Sequence, residues 1–181
     1  MPGIYNFEVK ISGMKKIIVL FFCLTSIYSS AQTLFGAGFD ISPNAARLSL
    51  RNWFNKTSGF ELGFGPSAKL EDFVFDDICI QGKYMMGFRY DRYSRTYAGV
   101  IARYTFINDP RFHKNLPSGG IFAGNEWYLG PYRNQGIAIE GGVIYGRISR
   151  QQYIEGSNVS ISDYYKEFPL YLAFSYKFYF R

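Results

Sequence analysis

Apolar and polar side chains alternate with a period of two along most of this chain, and no other feature of the sequence constrains its fold as strongly. The clearest case is the last segment, where Leu170, Leu172, Phe174, Tyr176, Phe178 and Phe180 share one face and Tyr171, Ala173, Ser175, Lys177 and Tyr179 share the other. The first of these faces is wholly apolar or aromatic. A soluble strand would bury it in a core, whereas a strand of about 9 to 11 residues tilted across a bilayer would turn it to lipid.

Seven further segments read the same way. Near 34–41, Phe35, Ala37, Phe39 and Ile41 oppose Gly36, Gly38 and Asp40; near 45–54, Ala46, Leu48, Leu50 and Phe54 oppose Arg47, Ser49 and Arg51. In the third segment Phe60, Leu62 and Phe64 oppose Gly59, Glu61, Gly63 and Gly65; near 80–91, Tyr84, Met86, Phe88 and Tyr90 oppose Lys83, Met85, Gly87 and Arg89. Near 96–106, Ala98, Val100, Ala102, Tyr104 and Phe106 oppose Tyr97, Gly99, Ile101 and Arg103. The segment near 121–131 is weaker, with Trp127 and Leu129 opposed to Gly124, Glu126 and Tyr128, and the seventh sets Ile137, Ile139, Val143 and Tyr145 against Ala138, Glu140, Gly142 and Gly146.

The connections alternate in length. Residues 52–58, 91–95 and 132–135 are short, whereas 66–77, 107–120 and 150–167 are long, polar and rich in Gly, Pro, Asn or Ser; only 42–44 departs from the rule. Transmembrane barrels have short periplasmic turns and longer outer loops, and an even strand number leaves both termini on the periplasmic side. The expected fold is therefore all-β: an eight-stranded antiparallel up-and-down transmembrane β-barrel, preceded by a signal-peptide helix. Apolar residues make up 48% and aromatic residues 20% of the chain, yet its mean hydropathy is only −0.10, which argues against both disorder and a helical membrane protein.

The leader is legible on its own terms. Lys15 and Lys16 precede the unbroken apolar run 17–24, and Ser29, Ser30 and Ala31 offer a small-x-small site before Gln32. The run is too short to span a bilayer. Cleavage between Ala31 and Gln32 is expected, giving an extension and signal peptide over 1–31 and a barrel domain over 32–181; Met1 and Met14 both stand as starts. The bulk of Phe22 argues against acylation at Cys23, and Cys79 is then the one mature cysteine, so no internal disulfide forms. Removing Lys10, Lys15, Lys16 and Glu8 from 20 basic and 14 acidic residues leaves 17 against 13, too mild an excess to point to nucleic acid.

The charges that share the polar faces define a candidate site inside the barrel: Asp40, Arg47, Arg51, Glu61, Lys83, Arg89, Arg103, Glu126, Glu140 and Lys177. Taking each connection's midpoint as the hairpin centre sets Asp40 opposite Arg47, Arg103 opposite Glu126 and Glu140 opposite Lys177, with Glu61 between Arg51 and Arg89. Eight strands leave an interior just wide enough for side chains, and such charges persist there only when paired. Trp53, Phe54, Tyr90, Tyr93, Tyr128 and Tyr132 gather near the short turns, which reads either as an interfacial girdle or as ordinary strand propensity.

On these segments the chain resembles the small eight-stranded outer-membrane barrels of Gram-negative bacteria, of the OmpX and OmpA membrane-domain type. The aromatic end built from Tyr176, Phe178 and Phe180, followed here by Arg181, looks like the carboxy-terminal signal read by the barrel assembly machinery. The junction at Ala31 and Gln32 and the abundance of tyrosine look like proteins of the Bacteroidota. The resemblance implies localisation in the outer membrane and partners among its lipid, lipopolysaccharide and the assembly machinery, with a surface or secretion-complex partner also open.

No P-loop, dinucleotide fingerprint, paired CxxC or HExxH occurs, so no cofactor or metal is expected. Some barrels of this size are lipid A deacylases that use Ser and His near the outer rim; His113, the only histidine, lies in 107–120, but the sequence sets no serine beside it, and Arg111, His113 and Lys114 read as a patch facing lipopolysaccharide. The expected role is non-enzymatic: a structural or interaction barrel with a plugged lumen. A narrow pore, a lipid A-modifying enzyme and a soluble exported ligand-binding barrel are the alternatives.

Overall fold

The computed structural model describes residues 34–68, 75–108, 115–153, 160–166 and 169–180. The expected leader and its cleavage site at Ala31 and Gln32, Arg111, His113, Lys114 and the terminal Arg181 lie outside the described residues.

Among the described residues ten strands form: β1 (Leu34–Ser42), β2 (Ala45–Trp53), β3 (Ser58–Ser67), β4 (Asp77–Tyr90), β5 (Ser94–Phe106), β6 (Leu116–Leu129), β7 (Gln135–Tyr145), β8 (Arg147–Tyr153), β9 (Ser160–Lys166) and β10 (Leu170–Phe180). Eight of them close into an antiparallel barrel in the order β1, β10, β7, β6, β5, β4, β3, β2. All are the segments that the alternation predicts. The seam is β1 against β10, with Phe35 opposite Phe180 and Ile41 opposite Phe174, so the first and last described strands complete the ladder and leave no open edge.

Local chemistry explains where the chain reverses. At the end of the barrel that carries both strand termini, Asn55 Oδ1 accepts from the backbone N–H groups of Thr57 (2.8 Å) and Ser58 (2.7 Å), and Asp91 Oδ1 accepts from those of Tyr93 and Ser94 (both 2.8 Å). The third reversal at this end needs two left-handed residues, Gly130 (φ 78°) and Arg133 (φ 51°), and Arg133 N–H closes it on the Gly130 carbonyl. At the opposite end Pro43 and Asn44 alone connect β1 to β2, because Ser42 pairs directly with Ala45. Proline suits the second position of such a turn, which is why this connection departs from the long-loop rule.

Three features differ from the sequence reading. The segment 150–167, read as loop, contributes to a separate two-stranded sheet of β8 and β9, with Arg147 opposite Lys166 and Tyr153 opposite Ser160. Its polar composition hides the strands, which pair with each other. Strand β6 begins at Leu116, so the long connection before it is shorter than 107–120; Pro117 sits near the start of the strand, where a missing N–H is tolerated. Finally, β4 and β5 shift register between Gly87 and Arg89, with Phe88 as the extra residue.

The barrel is inside-out relative to a soluble protein. Its interior holds Asp40, Arg51, Glu61, Lys83, Glu126, Glu140 and Lys177 together with aromatic rings, whereas Leu48, Phe64, Met86, Val100, Ile121, Ile139 and Phe174 are exposed on its outer wall. Small residues let facing strands approach: a Cβ on Gly38 would collide with the Tyr176 carbonyl.

Candidate functional site

The interior is organised around Arg51, which β2 projects inward and which is fully buried. Its guanidinium reaches three carboxylates from three other strands: Glu61 Oε2 at 2.5 Å, Glu126 Oε1 at 3.1 Å and Glu140 Oε1 at 2.7 Å. Only Glu61, cross-strand on β3, is its ladder neighbour; the other two lie across the lumen on β6 and β7. A planar group with five donors suits this task in a way that a lysine ammonium does not.

Two lysines complete the cluster. Lys83 Nζ lies 2.5 Å from Glu61 Oε1, 2.7 Å from Glu140 Oε2 and 3.6 Å from Asp40 Oδ2. Lys177 Nζ lies 2.7 Å from Asp40 Oδ1 and 3.4 Å from Glu61 Oε2, and donates to Ser49 Oγ. Three cations thus face four carboxylates, which makes a network rather than a set of isolated pairs. Among the described residues no group of three or more His, Cys, Asp or Glu is arranged to hold a metal ion. The carboxylates of Asp40, Glu61 and Glu140 converge on an ammonium instead.

Tyrosine supplies the remaining donors, and this the sequence reading missed. Tyr97 donates to Glu140 Oε1 (2.7 Å) and Tyr171 to Glu140 Oε2 (3.0 Å). Tyr128 donates to Glu126 Oε2 (3.2 Å), Tyr179 donates to Glu126 Oε1, and Trp53 Nε1 donates to Glu126 Oε2 at 3.3 Å. Each of these glutamates therefore receives two phenols as well as Arg51. The rings also pack edge-to-face, Trp53 on Tyr97 at 5.4 Å and Tyr128 on Tyr179 at 5.8 Å. The signal was present in the inward parity of Tyr97, Tyr171 and Tyr179, but their partners lie across the lumen.

Several expected pairings are corrected. Asp40 does stand opposite Arg47, and Arg51 opposite Glu61. Arg103, however, stands opposite Ser118 and donates to Gln81 Oε1 through Nε (3.1 Å) and Nη2 (2.9 Å), while Glu126 stands opposite Arg95. The early start of β6 moves that hairpin's centre. Glu140 stands opposite Ala173 and Lys177 opposite Gly136, so these two do not meet as ladder partners. Glu61 is flanked on β4 by Lys83, not Arg89. Arg89 itself is exposed, because the extra residue Phe88 reverses the alternation beyond it and sets Arg89 opposite the exposed Thr96.

The inward cation that the reading overlooked is Arg95, which is buried with its guanidinium 3.9 Å from the Trp53 ring centroid and 4.7 Å from that of Tyr90. Arg47 is also buried and donates to Ser42 Oγ at 3.2 Å. Of the six aromatics expected in a girdle, Tyr93 and Tyr132 are exposed in the turns, Tyr90 is exposed at the barrel end but stands opposite the inward Arg95, and Phe54 is half-buried. Trp53 and Tyr128 are buried in the lumen, as their strand parity requires, and do not belong to a girdle.

Comparison with family descriptions, with curated proteins and with solved structures found no match to this chain. Tyr176, Phe178 and Phe180 occupy the outward face of β10; Phe180 packs on Phe35 at 6.0 Å and on Phe178 at 5.3 Å.

Proposed function

We propose that the chain is an exported outer-membrane barrel with a structural or interaction role, its lumen plugged by the Arg51 network. The observation that carries this reading is the outer wall: every barrel strand exposes large apolar or aromatic side chains, while the acids and bases of the same strands, Arg89 beyond the bulge in β4 apart, are buried inside. Monomeric soluble proteins rarely expose contiguous apolar patches larger than a few hundred Å². A soluble ligand-binding barrel would need the reverse arrangement.

No helix among the described residues is long and apolar enough to cross a membrane; in this reading the strands cross. The end with the short turns faces the periplasm, and the β8–β9 sheet extends the loop side, where a surface or secretion-complex partner would bind. The network supports a plug over a pore because its side chains reach across the lumen: Arg51 of β2 contacts β6 and β7, and Lys177 of β10 contacts β1 and β3. The barrel assembly machinery would read the end at Tyr176, Phe178 and Phe180. The role is proposed as non-enzymatic.

Fractionation followed by gel mobility with and without heating tests the reading. A membrane-pelleted protein that migrates faster unheated than heated in SDS is expected; a protein released into the soluble fraction after export would overturn it. Planar-bilayer recording separates plug from pore, since a steady conductance unchanged by substitutions at Glu61 and Glu140 contradicts the plug.

A further inference from the structure

The end of the barrel with the short turns carries a basic rim that the Arg51 network does not use. Lys56 lies in the turn after β2, Arg89 at the end of β4, Arg92 in the turn after β4 and Arg133 in the turn after β6, and the first three are exposed. The described turns at this end carry one acid, Asp91, and its carboxylate is occupied by its own turn, accepting from Tyr93 N–H, Ser94 N–H and Ser94 Oγ. Asp91 also feels the charge of Arg89, so among the described residues of this rim four basic side chains meet one acid.

These cations are held against exposed rings at this end of the barrel. Lys56 Nζ lies 5.9 Å from the Tyr90 centroid, and the guanidinium groups of Arg92 and Arg133, from different turns, both lie over Tyr93, at 5.6 and 5.5 Å. Stacked this way they sit beside the apolar wall, at the level where lipid headgroups would meet it. Next to Arg133 is an open groove of about 620 Å³ between its turn and the end of β10, lined by Pro131, Tyr132, Phe178 and Phe180. The groove is continuous with the outer wall, because Phe178 and Phe180 belong to the exposed face of β10.

We propose that this rim binds an anionic phospholipid, its phosphodiester held by Arg133 with Arg92 beside it and its acyl chains laid along Phe178 and Phe180. The inference rests on the membrane reading above and adds to it a ligand class. Guanidinium is the side chain best matched to a phosphate, and the aromatic groove accounts for chains that a free phosphate lacks. A zwitterionic lipid offers the same chains without net charge, so charge is what the site discriminates.

The test uses the full exported chain folded in mild detergent, its fold checked by the heat-dependent gel shift, and native mass spectrometry with phosphatidylglycerol or phosphatidylcholine of identical chains. The expected result is preferential retention of phosphatidylglycerol, weakened about fivefold by Arg133→Gln, the amount one basic residue near an anionic surface contributes, with phosphatidylcholine retention and the gel shift unchanged. Arg92→Gln, in a turn without left-handed backbone strain, carries the same test if the Arg133 variant fails to fold. Equal retention of the two lipids, or retention indifferent to both variants, overturns the inference and leaves the barrel reading intact. A parent chain with no heat-shifted form overturns both.

Discussion

Replacing Arg51 by Met removes the one group that contacts Glu61, Glu126 and Glu140 together. The three acids do not suffer equally. Lys83 still reaches Glu61 and Glu140 at 2.5 and 2.7 Å, whereas Glu126 keeps hydrogen bonds from the neutral donors Trp53, Tyr128 and Tyr179, with the buried Arg95 as its ladder partner. Breaking a buried pair by removing one partner costs about 3 to 5 kcal/mol, because the other charge is left uncompensated. Arg51→Met should lose that amount, almost all of it through Glu126. Adding Glu126→Gln removes the orphaned charge, its amide oxygen still accepting from Trp53 and Tyr128 while its amide nitrogen can donate to the rotated hydroxyl of Tyr179, and should recover about 1 to 3 kcal/mol, the size of coupling expected between network neighbours. Equilibrium urea unfolding in lipid vesicles, followed by the fluorescence of Trp53 and Trp127, measures both. An Arg51→Met variant within about 0.5 kcal/mol of the parent, or a double variant less stable than the single one, would refute a dry, interdependent network.

Three further outcomes follow from the geometry. Gly38→Ala should cost about 1 to 3 kcal/mol in the same unfolding assay, as overpacking does, because its Cβ meets the Tyr176 carbonyl; Gly82→Ala, whose Cβ meets only side-chain ends at 3.9 Å and beyond, should be near neutral. Phe180→Ala should lower the yield of assembled protein in cells while leaving refolding in detergent unchanged, since Phe180 lies on the outer face and contributes nothing to the lumen network; equal losses in both would remove the assembly role. Hydrogen bonds from the backbone of Tyr93, and then from Ser94, hold the Asp91 carboxyl below the usual carboxylate range. The stability it contributes is therefore complete above the unfolded carboxylate value and is lost as pH falls through the lower folded value, which a carboxyl NMR titration would show and which Asp91→Asn should abolish.

The alternation exposed the eight barrel strands and which face of each turns inward, because a period of two survives uncertainty about where a strand begins. Ladder partners were legible only where the hairpin was tight. Asp40 and Arg47 flank a two-residue turn, so their register has almost no freedom, whereas the centre of the β5–β6 hairpin moved once β6 proved to start at Leu116. Arg89 was misplaced because a single extra residue, Phe88, reverses parity beyond it, and no local composition announces a bulge there. The contacts that organise the site were out of reach for another reason. Arg51 meets Glu126 and Glu140 across the lumen, and such meetings depend on how the sheet closes, not on the register of neighbouring strands. For the same reason the sequence does not show that inward tyrosines such as Tyr97 and Tyr171 are donors to Glu140 across the lumen.

The central claim, apolar wall to lipid and charged cluster within, is tested most directly by the two tryptophans. Trp127 is 41% exposed on the outer wall and Trp53 is fully buried inside, and both lie near the same end of the barrel. In vesicles of lipid brominated near the carbonyl end of its chains, Trp53→Phe leaves Trp127 as the sole reporter and Trp127→Phe leaves Trp53. The account predicts strong quenching of Trp127 and weak quenching of Trp53. Equal quenching of the two, or quenching of Trp127 by aqueous acrylamide and not by bromolipid, would contradict it.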